Sequence, residues 1–547
     1  MLAILGSLPV VTAIVMMVVL KQNAGLSLFV AWALSAVLAI VFWGLAPEHT
    51  AAYTILGFLS ALDVILIIFS AIFLLNVLIE ISFVKTIGTG FNGISQDRRV
   101  QILIIAWLFG AFLEGAAGFG TPAAIAAPLL MGLGVPAFFA ALASLIANGV
   151  PSLFGAAGTP TSTGFATVAS GLELELGAEN TALFFSQLNN TVGLLNIFTG
   201  SFVPFLMIAA IVSRDGRKRG IKDAVSVFPL CLFAGLAFSI PAWLVSFLGP
   251  ELPTILGSLV GMLVFIIAVK KGFLIPKEVY RFMDDPVAQL NSQADETDIS
   301  LVKAWSPYII ICIVLVLTRL PQLPFFSMIR SPFLTVALVD LFGFEGINWA
   351  WLPLNNPGLI PFLPVALAYL AVYAKRPGVA SGVFIKTMKQ LKNAVVALLF
   401  GVALVQIMRF TNYTTPGYIV PMTTAIASAL AAMFGGIYPV ISPIIGALGT
   451  FVSGSHTVSN IMFYGLQLEA AQMLGMPGSL MLVAQTFGGS MGNMVAVNNI
   501  VAVAATTNSA GQESKILLGA IVPMVIFSLS VSAGILILLA LGGSWAA

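Results

Sequence analysis

The chain has 547 residues, of which 59% are hydrophobic and 8% charged, with a mean hydropathy of +1.06 and a net charge of +2. A water-soluble domain carries roughly a quarter charged residues, so this composition excludes a soluble globular protein and defines an all-α polytopic membrane protein whose surroundings are a lipid bilayer. The small net charge gives no sign of a nucleic-acid partner, and the two cysteines, Cys231 and Cys312, fall in apolar stretches that offer neither a disulfide framework nor a metal site.

Taken in chain order, apolar runs of about twenty residues, the length that crosses a bilayer, predict twelve spans. In the first half they lie near 2–20, 24–45, 61–84, 135–165, 187–212, 226–248 and 250–269. In the second half they lie near 305–320, 357–374, 393–410, 479–505 and 516–541. The first run has no basic residue before it and Lys21 behind it, so it reads as a membrane anchor rather than a cleavable leader. Two more apolar segments, about 100–132 and 436–470, are broken by Gly, Pro and polar residues and are predicted to be re-entrant hairpins. The tract "DDPVAQLNSQADETD" marks 271–304 as a polar cytoplasmic linker between an N-terminal half, 1–270, and a C-terminal half, 305–547. With both termini outside, 20 of the 23 Lys and Arg fall in inner loops, leaving Arg319, Arg330 and Arg409 outside, as the positive-inside rule requires.

The two broken segments resemble one another. "GAFLEG" (110–115) parallels "GTFVSG" (449–454), and "GLGVP" (132–136) parallels "MLGMP" (473–477), at offsets of 339 and 341. Each copy follows one span and precedes two, and the spans run in opposite directions. This is the pattern of inverted-topology repeats, which place broken helices from opposite faces around one midplane site.

In "FGAFLEGAAGFGTP" (109–122) a lone carboxylate sits among glycines inside an apolar run. A carboxylate at that depth is costly when ionised, and can take and release a proton as water access alternates. Glu114 is therefore the leading proton-coupling candidate. His456, the only histidine at membrane depth, is the second, able to pair with an anion or join a relay. Backbone groups freed by Gly and Pro are tolerated there only where protein or a hydrated cavity satisfies them, and helix N-termini exposed this way suit a carboxylate. No Lys or Arg occupies the centre of any predicted span. The candidate substrate-binding groups are Gly115, Gly118, Gly120 and Thr121 in the first hairpin, then Asn148, Thr159 and Thr161 around "GTPTSTG" (158–164). The second copy adds Ser453, Ser455, Ser459 and Asn460 in "SGSHTVSN" (453–460), and Asn493, Asn498 and Asn499 in "GGSMGNMVAVNN" (488–499). No cofactor or metal is called for.

"FGAFLEGAAGFGTPAAI" (109–125), "GPELPTILGSLV" (249–260) and "NNIVAVAATTNSAGQESKI" (498–516) resemble the L-lactate permease family over almost the whole chain. The resemblance implies a secondary transporter of the cytoplasmic membrane that imports L-lactate, and often glycolate, with a proton. Two places depart from the family pattern. "GSHTVSN" (454–460) stands where Gly-Ser-Asp-Thr-Ser-Ser-Asn is usual, and "GNMVAVN" (492–498) where Gly-Lys-Met-x-Ser-Pro-Gln is usual. His456 thus replaces an acid and Asn493 a base, and carboxylate binding falls to His456, helix termini or amides. The alternative is an exporter, exchanger or sodium-coupled carrier of another small carboxylate. An intramembrane hydrolase would need a G-x-S-x-G elbow or an H-E-x-x-H zinc motif, and the sequence has neither. Oligomeric state is left open, a homodimer included.

Overall fold

The structure, a computed structural model, describes residues 2–20, 22–91, 94–118, 121–216, 220–283, 299–319, 322–374, 376–414, 419–507, 509 and 511–542. The linker stretch 284–298 therefore lies outside the described residues. In chain order the principal helices of the first half are α1 (Leu2–Val18), α2 (Ala24–Trp43), α3 (Pro47–Glu80), α4 (Arg98–Ala116), α5 (Thr121–Gly132), α6 (Ala137–Ala147), α7 (Gly155–Leu176), α8 (Ala178–Val212), α9 (Phe228–Ser246) and α10 (Pro253–Lys270). The second half has α11 (Leu301–Arg319), α12 (Leu363–Tyr373), α13 (Val379–Arg409), α14 (Met422–Phe434), α15 (Tyr438–Ser453), α16 (His456–Leu474), α17 (Gly478–Gly492), α18 (Val497–Thr506) and α19 (Glu513–Ala540).

Among the described residues, 11 helices are long and apolar enough to cross a membrane, or 12 when α6 and α7, bent by 48° at their junction, count as one span. The protein is a multi-pass membrane protein. Two of the predicted spans are shorter than expected: Leu2–Met16 and Gly358–Tyr373 fall below crossing length. Two others are longer. α3 starts at Pro47 rather than near 61, because Pro47 at the first helical position and Glu48 in the first turn begin the helix early. α13 starts at Val379, fourteen residues ahead of the predicted 393, with Lys386 and Lys389 exposed on its first turns.

The side chains form two cores. One joins α2, α3 and α13, where Leu28, Ala39, Trp43 and Tyr53 pack with Leu398, Val402 and Ile407. Gly57 lets α3 and α13 touch, since a Cβ there would lie 2.4 Å from the Ala403 Cα; in a bilayer such close small-residue contacts, not burial from water, hold helices together. The second core gathers the broken segments and α8–α10, α17 and α19, with Trp107, Phe109, Phe112, Phe238, Phe487 and Phe527 among its buried side chains. Both cores draw residues from each side of the linker, so packing does not follow the division of the sequence into halves.

At the root of α4 a polar clasp fixes this second core. Asp97 caps α4 and forms a buried ion pair with Arg99 at 2.7 Å. Arg99 also donates to the carbonyls of Asp223 and Glu278, and the Tyr280 N–H donates to Asp97. Removing one member of a buried pair strands the other charge, at about 3–5 kcal/mol. Asp97→Ala is therefore expected to lower the thermal unfolding midpoint sharply, with Asp97→Asn losing less; an unchanged midpoint in a thermal-shift assay would contradict the clasp.

Two short strands, β1 (Val336–Leu338) and β2 (Trp349–Trp351), pair antiparallel. Trp351 Nε1 and Asn356 Nδ2 both donate to Asp63 Oδ1, at 2.6 and 2.7 Å, tying this segment to α3.

Candidate functional site

Four interruptions meet inside the second core. The first lies between α4 and α5. α4 is wound as a π-helix over Leu103–Phe109, a winding frequent at functional sites. It returns to α-helix over Gly110–Ala116 and stops where Gly118 adopts φ +60°. Glu114 is on its last turn, 3% exposed. Gly115 lets this turn lie against the start of α10, where a Cβ would come within 2.8 Å of the Ile255 nitrogen. Gly120 and the side chain of Thr121 lie outside the described residues.

The second interruption separates α6 from the regular part of α7. Pro151–Phe154 form a 3-10 turn, and Ala156, Ala157 and Gly158 follow with φ of 44°, 51° and 76°. Left-handed alanines cost roughly 1–2 kcal/mol each, and such strain persists where the surroundings over-determine it, often at working sites. Gly155 and Gly118 are required by proximity. A Cβ on Gly155 would lie 2.4 Å from Glu114 Oε1, and one on Gly118 would lie 2.7 Å from the Ala156 Cβ. The Asn148 amide faces the same carboxylate. Glu114 Oε2 is buried with no hydrogen-bond partner.

The third interruption falls between α15 and α16, at Gly454 with φ +70°, and the fourth between α17 and α18. A Cβ on Gly454 would lie 2.5 Å from Asn498 Nδ2, so this tip rests on the fourth break as Gly118 rests on the second. Ser455 caps α16, and Asn499 donates to Asn493 Oδ1 at 3.3 Å.

Side chains take several of the carbonyls freed by the second break, as burial demands. Thr254 takes the Pro151 carbonyl at 2.8 Å, Thr161 that of Leu153 at 2.8 Å, and Thr159 that of Ala156. Groups of α16 and α17 take others: His456 Nδ1 lies 2.9 Å from the Ser152 carbonyl, Ser490 donates to Gly149 at 2.8 Å, and Asn460 to Pro160 at 3.1 Å. Ser152 Oγ and Ser490 Oγ meet at 2.7 Å. The structure thus brings Glu114, Asn148, Gly115 and Gly118 to one side of the second break and His456 and Asn460 to its other side. Ser453 and Ser459 bond inward to the carbonyls of Gly449 and Gly446, both within α15. Asn498 is exposed, while Asn148, Asn493 and Asn499 are buried.

Site reasoning from sequence did not single out Ser490, or Gln485, which donates to Ser459 Oγ at 3.1 Å. Ser152 and Ser490 stand 338 residues apart, within a few residues of the repeat offset, and that was the available signal. Beside the crossing, a cleft of about 120 Å³ between α3, α7 and α13 is lined by Ser60, Asp63, Ser162, Thr163, Thr167 and Gln406. It carries Ser162 and Thr163, the hydroxyls of "GTPTSTG" that the backbone does not consume. Among the described residues no group of three or more His, Cys, Asp or Glu is placed to hold a metal ion.

A multi-pass helical membrane protein with its helix breaks gathered at one buried polar crossing is what the fold and site define. The chain belongs to the L-lactate permease family, whose model matches residues 2–542. It is 30% identical to the putative L-lactate permease of Haemophilus influenzae, covering 98% of each chain. It is 29% identical to the L-lactate permease of Escherichia coli K12, covering 94% of this chain and 91% of that protein. The glycolate permease GlcA of the same organism is 27% identical, with 94% and 91% covered. Among solved structures, the YdaH transporter of Alcanivorax borkumensis aligns at 14% identity with a TM-score of 0.32, over 70% of this chain and 84% of that one.

Proposed function

We propose that the protein imports L-lactate, or a close 2-hydroxy monocarboxylate such as glycolate, across the cytoplasmic membrane together with a proton. The observation that carries this reading is Glu114: a buried carboxylate with one oxygen unpartnered, held at the crossing by a break whose Pro151 and Leu153 carbonyls are already bonded. It is the acidic group free to exchange a proton there. The α4–α5 and α15–α16 pairs act as re-entrant hairpins of an inverted repeat. The left-handed glycines at both tips and the pairing of Ser152 with Ser490 support that reading. Both termini face outward, with the Asp97–Arg99 clasp and the other basic loops on the cytoplasmic side. The hydroxyl-lined cleft between the two cores gives substrate its way to the crossing, and the core holding the hairpins slides against the other.

The test is uptake in membrane vesicles, with a panel of labelled carboxylates and with pH and sodium varied independently. L-lactate should enter under an inward proton gradient, and glycolate should compete with it. Uptake driven by sodium alone, or a panel in which lactate and glycolate are ignored, would overturn the proposal.

A further inference from the structure

His456 opens α16 and is 3% exposed. Its two ring nitrogens face groups of fixed character. Nδ1 lies 2.9 Å from the Ser152 carbonyl oxygen, which can only accept, so Nδ1 carries the hydrogen. Nε2 lies 3.0 Å from the side-chain nitrogen of Asn460. The orientation of that amide is set by its other contacts: Nδ2 donates to the Pro160 carbonyl at 3.1 Å, and Oδ1 accepts from Gln485 Nε2 at 3.4 Å. Gln485 is oriented in turn, since its Oε1 accepts from Gln467 Nε2 at 3.0 Å, and Gln467 also donates to the Ser442 carbonyl. The chain of amides is thus anchored on a backbone acceptor at each end. Towards Asn460, Nε2 offers its lone pair, because a hydrogen there would put N–H against N–H.

The remaining side of the ring is closed by α17, which brings the Thr486 backbone to the imidazole and on which a Cβ at Gly489 would lie 2.3 Å from His456 Cδ2. No charged group is among these contacts. Glu114, the titratable side chain of the neighbouring tip, is turned to Gly155 and Asn148.

We infer that His456 works as a neutral imidazole in one fixed tautomer, a positioning residue that ties the tip of the second hairpin to the break before α7 and takes no part in proton transfer. Through Ser152 it also sets the contact with Ser490. The two copies are thereby locked together at the crossing, and Glu114 is left as its single working acid. The consequence for transport rests on the proposed function; the state of the ring does not.

The chain holds only two histidines, so ¹⁵N-imidazole labelling in a His49→Gln background leaves one ring to observe in nanodiscs. The expected spectrum is the neutral Nδ1–H tautomer, unchanged between about pH 5 and 8. An Nε2–H tautomer, or an imidazolium appearing in that range, would overturn the inference. In uptake assays His456→Gln should be slower than wild type while the shape of its pH profile is kept. A variant that still moves lactate with the proton dependence lost would equally overturn it. Should wild-type protein move no lactate, the function proposed above fails while the spectrum still decides this point.

Discussion

Glu114→Gln is expected to abolish accumulation of lactate under a proton gradient while exchange of internal for external lactate continues. Glutamine keeps the shape of the side chain and its hydrogen-bonding capacity towards Asn148, so the crossing stays assembled. It removes only the exchangeable proton. A carrier that needs that proton to complete its empty return is then confined to swapping one substrate for another, and net uptake should fall by two orders of magnitude or more, on the scale of losing a positioned acid–base group. Glu114→Asp tests placement: the shorter side chain withdraws from Gly155, whose missing Cβ makes room for the carboxylate. Reduced but still proton-driven uptake is expected. Undiminished accumulation by Glu114→Gln in proteoliposomes would remove this residue from the coupling.

Gly158→Val should be the most damaging change outside that acid. The glycine has φ +76°, and a Cβ there would come within 2.4 Å of the Pro250 carbonyl oxygen, a backbone atom that cannot swing away. Left-handed strain in a β-branched residue and overpacking each cost about 1–3 kcal/mol. Their sum, roughly 2–6 kcal/mol, falls on the break that holds the Glu114 pocket, and both folded yield and transport should collapse. Gly475→Ala is the control. That glycine is also left-handed, φ +63°, but nothing lies within 4 Å of the added carbon. It should cost about 1 kcal/mol and leave uptake near wild type. Equal behaviour of the two variants, in a thermal-shift and uptake comparison, would show that the close approach to Pro250 does not matter.

Much of the architecture was readable in the residues because a bilayer imposes simple requirements. Apolar runs of fixed length gave the multi-pass class, and glycine and proline within them located the breaks. The break at Gly118 fell inside the segment read as interrupted, and so did that at Gly454. What escaped were features set by distant contacts. The strands Val336–Leu338 and Trp349–Trp351 are too short to give a period, and exist because Asp63 holds Trp351 and Asn356 from α3. The clasp of Asp97, Arg99 and Tyr280 joins residues 183 apart in sequence. Within the site, composition marked the polar stretches but could not divide their labour. Thr159 and Thr161 turned out to bond carbonyls of their own break, whereas Ser162 and Thr163 face the cleft. The short helix α14 was missed because its first turn reads as the end of a polar loop, and its apolar face is met by α1 and α16, which local pattern cannot reveal.

The central claim is that one buried acid at the crossing of the broken helices carries one proton with each hydroxy acid. Its most direct test is to record lumenal pH and labelled L-lactate together in proteoliposomes of purified protein, with sodium absent. One proton entering per lactate in wild type, and lactate exchange without any pH change in Glu114→Gln, is the result expected. Lactate uptake in wild type with a silent pH signal, or equal proton movement in both proteins, would contradict it.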